Sequence, residues 1–244
     1  MAAPLPPVFT VTQAMVQCGV PDAPNFEEQT PPQRISTQIF MDSFDTCLSI
    51  TIDEVSKALT AFTKLTAANG RIPLQPGVKR RILAFVQWSR TMLRTDRDPT
   101  LVAFPVGDII SLTQDLQTCR RFEKQSELMA SQAKPKKFTA ETQWMDWEPI
   151  LVNYLRLIPG RTGIPLAYVI RRRATPPAAP FIGPILDNYI THAPLIGDTF
   201  NFDSRSVHTL ILTFIVEYPE IEAIVRTATN DDWQDCLHVI SGSL

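Results

Sequence analysis

Glycine is scarce in this chain, 9 of 244 residues, where an average protein would carry about 7%. The scarcity argues against designs that cradle phosphates in glycine-rich loops, and no GxSxG, GxxxxGK[ST] or GxGxxG occurs. The four cysteines, at 18, 47, 119 and 236, share no CxxC spacing, so neither a disulfide framework nor a zinc knuckle can be read. Long apolar runs are also missing. The longest, near Leu210–Val216, is split by Thr213 and is far short of the ~20 residues a membrane span needs. The first residues, MAAPLPPVFTVTQ, have no basic region and are broken by proline, so no signal peptide is expected and the chain reads as cytoplasmic. Histidines are few, at 192, 208 and 238, with no HExxH. Cys236 and His238 are two possible ligands where a metal site wants three or four. No catalytic residue, metal ligand, cofactor or small-molecule substrate is expected.

What the chain does have is proline, 21 residues, and an uneven charge. Residues 1–60 hold 2 basic and 7 acidic groups, residues 61–173 hold 19 and 9, and residues 174–244 hold 2 and 9. The regional charges are −5, +10 and −7. Such a pattern suits either nucleic-acid contact by the middle or electrostatic association between chains. Candidate nucleic-acid contacts are Lys79, Arg80, Arg81, Lys134, Lys136, Lys137, Arg171, Arg172 and Arg173.

Periodicity predicts an all-α, multi-helix fold. Residues 1–50 read as a Pro-rich extended arm, docked through Val8–Met15. A first subdomain spans 51–133. Thr51 and Glu54 fit a capping box, and Val55, Leu59, Phe62 and Leu65 form a stripe closed by Asn69–Gly70. A second helix follows Pro76–Gly77, with Lys79, Arg80, Arg90, Arg94 and Arg97 outside its apolar face. A third runs from about Val106 to Ser131. Lys134–Pro135–Lys136–Lys137 reads as a linker opening a second subdomain, 134–244. There Thr139 or Thr142 caps a helix reaching Leu157. Asp203 caps another running to Glu217, whose β-branched residues leave a strand as its rival. Short helices are expected at 185–192, 219–227 and 231–240. Pro159–Gly160–Arg161–Thr162–Gly163 follows a helix and precedes Pro165, so a helix stop and turn explain it better than a phosphate loop. Trp144 and Trp147 share a helix face with Tyr154 and are candidate interface anchors, with core packing as the alternative.

The stretch WMDWEPILVNYLRLIPGRTGIPLAYVIR at 144–171 resembles a block of the Gag-like proteins of copia-type LTR retrotransposons from algal genomes. Further pieces also look like that family: PGVKRRILAFVQW at 76–88 with 97–99 and 104–106, and DNYITHAPLIGDTF at 187–200 with Asp203 and 207–209. Together they cover about residues 70–240. The resemblance implies a structural capsid-region protein without an active site, self-associating as a homo-oligomer around single-stranded RNA. It also implies a Gag portion or domesticated copy, because the family's zinc knuckle and enzymes are not in this sequence. Asn230–Asp231–Asp232–Trp233 departs from the family's N-D-G-R. Two other readings stand beside it: a nucleic-acid-binding module built on the basic middle, and a helical protein-interaction adaptor.

Overall fold

A computed structural model describes residues 8–20, 31–39, 41, 43–68, 74–139, 142–171, 183–215 and 219–227. Among them are nine α-helices and no strand, which makes the fold all-α. Arg172, Arg173, Asn69–Gly70, Trp233, Cys236, His238 and the helix expected at 231–240 lie outside the described residues. The chain divides into two compact units, Met1–Arg120 and Arg121–Leu244.

In the first unit, α1 (Val11–Gln17), α2 (Pro31–Gln38) and α3 (Ile52–Ala68) precede α4 (Pro76–Arg94), and the division falls within α5 (Ile109–Gln132). The described part of the expected arm is not extended. Thr10 and Gln13 form a reciprocal capping box that starts α1, and Ala14, Met15 and Cys18 are wholly buried. Pro31–Pro32 opens α2, where missing N–H groups cost nothing. Ile35, Ile39, Met41 and Cys47 then join the core of the unit. The capping box of α3 forms as expected, with Thr51 N–H donating to Glu54 Oε2 at 2.7 Å and Glu54 N–H to Thr51 Oγ1 at 3.1 Å.

The helix at the centre is α4. Ile82, Ala84, Phe85, Val86 and Trp88 are buried, and so are Gln87, Ser89, Arg90 and Arg94. A helix covered on all sides is a core helix, so Arg90 and Arg94 do not decorate a solvated face as their charge suggested. Arg90 Nε donates to the Cys47 carbonyl at 2.8 Å. Phe9, Phe44, Phe104, Phe85 and Trp88 meet at ring-centroid separations of 5.5–6.4 Å, the range of favourable tilted and edge contacts.

The second unit holds the end of α5, then α6 (Trp144–Arg156), α7 (Ile185–His192), α8 (Gly197–Ile215) and α9 (Pro219–Thr227). Trp144, Trp147 and Tyr154 on α6 pack with Phe138 and Phe214 at centroid distances of 5.3–6.5 Å. The rival strand at 203–217 gives way to α8, whose stripe of Phe200, Val207, Ile211, Phe214 and Ile215 is buried. His208 behaves as a satisfied ring, with Nε2 3.2 Å from the Val225 carbonyl of α9.

Arg81 joins α4 to the end of α1. Its Nε donates to the Cys18 carbonyl at 2.6 Å, and a side chain added at Gly19 would meet its guanidinium at 2.6 Å. A cation on the carbonyl end of a helix is favourable by charge and by hydrogen bonding. Replacing Arg81 by Ala is expected to destabilise the first unit by about 1–2 kcal/mol. Urea unfolding followed by fluorescence of Trp88, in a background where Trp144, Trp147 and Trp233 are Phe, measures it.

Candidate functional site

The expected site residues separate into two groups once each side chain is placed. Some are spent inside the fold, and some remain at the surface.

Trp144, Trp147 and Tyr154 belong to the first group, with exposures of 4%, 3% and 8%. Trp147 Nε1 donates to the Lys136 carbonyl at 2.9 Å, and Trp144 Nε1 donates to Glu148 at 3.1 Å. The expectation of an interface is therefore corrected. These rings are the core of the second unit, because Leu151, Leu155 and Phe214 cover the same face. Arg81 is engaged as described above. Arg171, expected to contact phosphate, donates from Nη1 to the Ile190 carbonyl at 2.6 Å and from Nη2 to the Ala193 carbonyl. It closes the carbonyl end of α7, and burial lowers its pKa.

The largest departure concerns Asp203. Expected as a helix cap, it instead lies inside α8 with no exposure. Its Oδ1 accepts from the Arg161 N–H at 2.8 Å and its Oδ2 from the Tyr168 hydroxyl at 3.0 Å. The loop it holds is closed on itself by backbone bonds. Gly160 N–H donates to the Ile164 carbonyl at 2.7 Å and Leu166 N–H to the Ile158 carbonyl at 2.9 Å, while Pro159 and Pro165 pair as an antiparallel bridge. Gly163 has φ +77°, which favours glycine. Gly160 is needed for a different reason. A Cβ there would sit 2.3 Å from Asp203 Oδ2. Arg161 lies over the Phe202 ring at 5.4 Å. The turn expected at 159–163 is present, but its main feature is the carboxylate beneath it.

Burial raises the Asp203 carboxyl above its ordinary 3.8, outweighing the Arg161 amide, the Tyr168 hydroxyl and the Arg161 charge, which lower it. Burial, and then the Asp203 charge, push the Tyr168 hydroxyl up. The sequence did hold a signal for Asp203. It occupies a stripe position of α8, three residues after Phe200 and four before Val207, where an apolar residue is expected.

Lys79, Arg80, Lys134, Lys136 and Lys137 form the second group. Lys79 is half-buried and Arg80 exposed, both on α4 of the first unit. The three lysines of the second unit are exposed and line a groove of about 900 Å³ with Asp146, Pro149 and Ile150 of α6. Lys134 also places its Nζ 5.9 Å from the Phe214 ring centroid. Pro135 between them is buried, so the expected linker is anchored, and Phe138 N–H donates to the Phe214 carbonyl at 2.7 Å. Among the described residues, this groove gathers three of the expected nucleic-acid contacts.

Nucleophile and metal chemistry find little footing in the described part. Burial pushes the thiols of Cys18 and Cys47 up to about 12, so neither is a thiolate near neutral pH. Among the described residues no three His, Cys, Asp or Glu side chains are grouped to hold a metal ion. No described helix is long and apolar enough to cross a membrane. Comparison with protein-family models, curated proteins and solved structures gives no match.

Two variants test the role of Asp203. Gly160→Ala is expected to cost about 1–3 kcal/mol, because the new methyl group meets a carboxylate fixed in α8. Asp203→Asn keeps the acceptor for Arg161 and removes the charge. Because the folded pKa of Asp203 is raised, its contribution is full below pH 3.8 and is lost as pH rises through the folded value. The stability of the native chain relative to Asp203→Asn should therefore fall in urea titrations as pH rises above 3.8.

Proposed function

We propose that this chain is a non-enzymatic structural protein of the cytoplasm, a Gag-like capsid scaffold that self-associates and can package single-stranded RNA. The observation that carries the reading is the set of large apolar side chains exposed in both units. In the first unit these are Leu101 at 67% and Ile110 at 77%. In the second they are Leu128 at 64%, Met145 at 83% and Ile196 at 78%. α5 and α6 bury their own aromatic and aliphatic stripes, so Ile110, Leu128 and Met145 are surplus to the core. Apolar surface presented by both halves of a chain suits a subunit that meets neighbours through more than one face.

The resemblance of 144–171 and its flanking pieces to Gag-like proteins supports the same reading. The structural roles of Trp144, Trp147, Gly160, Tyr168, Arg171 and Asp203 support reading these stretches as a folding signature. Contacts between subunits then fall on residues outside their buried positions. Exposed Arg80, Lys134, Lys136 and Lys137 supply the charge for RNA.

Size-exclusion chromatography with light scattering, at two salt concentrations and with or without single-stranded RNA, tests the proposal. Oligomers that grow with protein concentration are expected, and Met145→Glu should shift them toward monomer. A monomer at all concentrations that ignores RNA would remove the scaffold reading.

A further inference from the structure

A second cleft of the same unit shares no residue with the lysine groove. It lies between the loop at 158–166 and one face of α8, with a volume of about 520 Å³, the size of a small-molecule site. Leu166 and Leu210 give it an apolar lining. Phe202 adds an aromatic ring that is 52% exposed, although the rings of Trp147, Tyr154 and Phe214 in the same unit are buried against one another. An aromatic ring left half in water beside a cleft is available for stacking.

The polar groups of the lining have fixed roles. Arg161 is exposed, and its guanidinium carbon lies 5.4 Å from the centre of the Phe202 ring. Ring and guanidinium are both flat surfaces of the kind on which nucleobases stack, and the guanidinium also pairs with phosphate. The Ser206 hydroxyl donates to the Phe202 carbonyl at 3.1 Å, and the Thr209 hydroxyl to the Arg205 carbonyl at 3.0 Å. A hydroxyl has one proton and two lone pairs. With each proton committed to the helix, Ser206 and Thr209 offer a ligand only acceptors. Asp203 lies beneath with no exposure, and both its oxygens already accept bonds. The N–H groups of Gly160, Arg161 and Gly163 are bonded within the fold, so an anion here meets the Arg161 side chain and not a backbone cradle.

These roles select among ligands. A fatty acid would use Arg161 and the leucines and leave the hydroxyl lone pairs unmet. A sugar phosphate would leave the Phe202 ring wet. A flat heterocycle with N–H donors on its edge and a phosphate attached uses every group.

We propose that this cleft binds a nucleotide, its base stacked on Phe202 and Arg161 with its amino edge toward Ser206 and Thr209, and its phosphate on the Arg161 guanidinium. A free nucleotide and one unit of a single strand share this chemistry. No lysine and no second copy of the chain enters the site, so it stands independently of self-association and of RNA capture by the lysines.

Saturation-transfer difference NMR on the full chain with adenosine 5′-monophosphate (AMP) tests it. Saturable binding is expected, with the strongest transfer on the adenine protons. Ribose 5-phosphate, which lacks the base, should bind about tenfold more weakly or worse. Phe202→Leu keeps an apolar side chain and removes the ring, and should raise the Kd of AMP about tenfold. Arg161→Gln should raise the Kd of AMP about tenfold and change that of adenosine, which lacks the phosphate, by less than about threefold. Both side chains are exposed, so each variant should keep the helical circular dichroism of the native chain. Displacement of AMP by single-stranded oligoadenylate would support the site and identify its ligand as a strand, and no displacement would support it as a site for the free nucleotide. The proposal is overturned if AMP shows no saturable binding, if ribose 5-phosphate binds as well as AMP, or if both variants leave the Kd unchanged.

Discussion

A carboxylate sealed inside a helical unit is an expensive feature, and the second unit is arranged around making it tolerable. Asp203 is taken out of water at a cost that only good hydrogen bonds offset. The Arg161 amide and the Tyr168 hydroxyl supply those bonds. Meeting that need forces the loop 158–166 to fold back on itself, requires a residue without a side chain at 160, and holds Tyr168 against α8. The most motif-like stretch of the sequence is thus explained by one buried acid and by the aromatic cluster beside it.

Basic side chains solve a related problem elsewhere. Arg81 meets the carbonyl that ends α1, Arg90 the carbonyl of Cys47, and Arg171 two carbonyls at the end of α7. Carbonyls at helix ends lack intrahelical partners and carry partial negative charge, so a guanidinium there is both a donor and a counter-charge. The positive charge of the central sequence is therefore partly internal. Of the basic side chains expected to meet nucleic acid, Arg80, Lys134, Lys136 and Lys137 are exposed and Lys79 is half-buried.

Helix content was legible in the sequence because apolar spacing and capping pairs act locally. The Thr51–Glu54 box, the proline start of α4 and the stripes of α6 and α8 all appear where periodicity puts them. The burial of Val11, Met15, Ile35, Ile39, Met41 and Cys47 was not legible, because proline content suggests extension and only the structure shows that Pro31–Pro32 begins a helix. The sites were harder still. An arginine that staples a helix end and one that waits for phosphate look alike in sequence, as do a core tryptophan and an interface tryptophan. Long-range partners decide between them: Cys18 lies 63 residues from Arg81, and Arg161 lies 42 from Asp203. Glycine at 160 looked like a turn residue, whereas its cause is a carboxylate on another helix.

The block at 144–171 holds the second unit together through the bonds between its loop and Asp203 and through its aromatic cluster. Amide hydrogen exchange at Arg161 tests that assignment most directly, because this N–H reports on the bond to Asp203 alone. Exchange as slow as that of Leu155 in the buried face of α6, opening only with the unit as a whole, is the expected result. Exchange at the rate of an open loop would mean that the segment is not held by the buried acid, and would contradict the account.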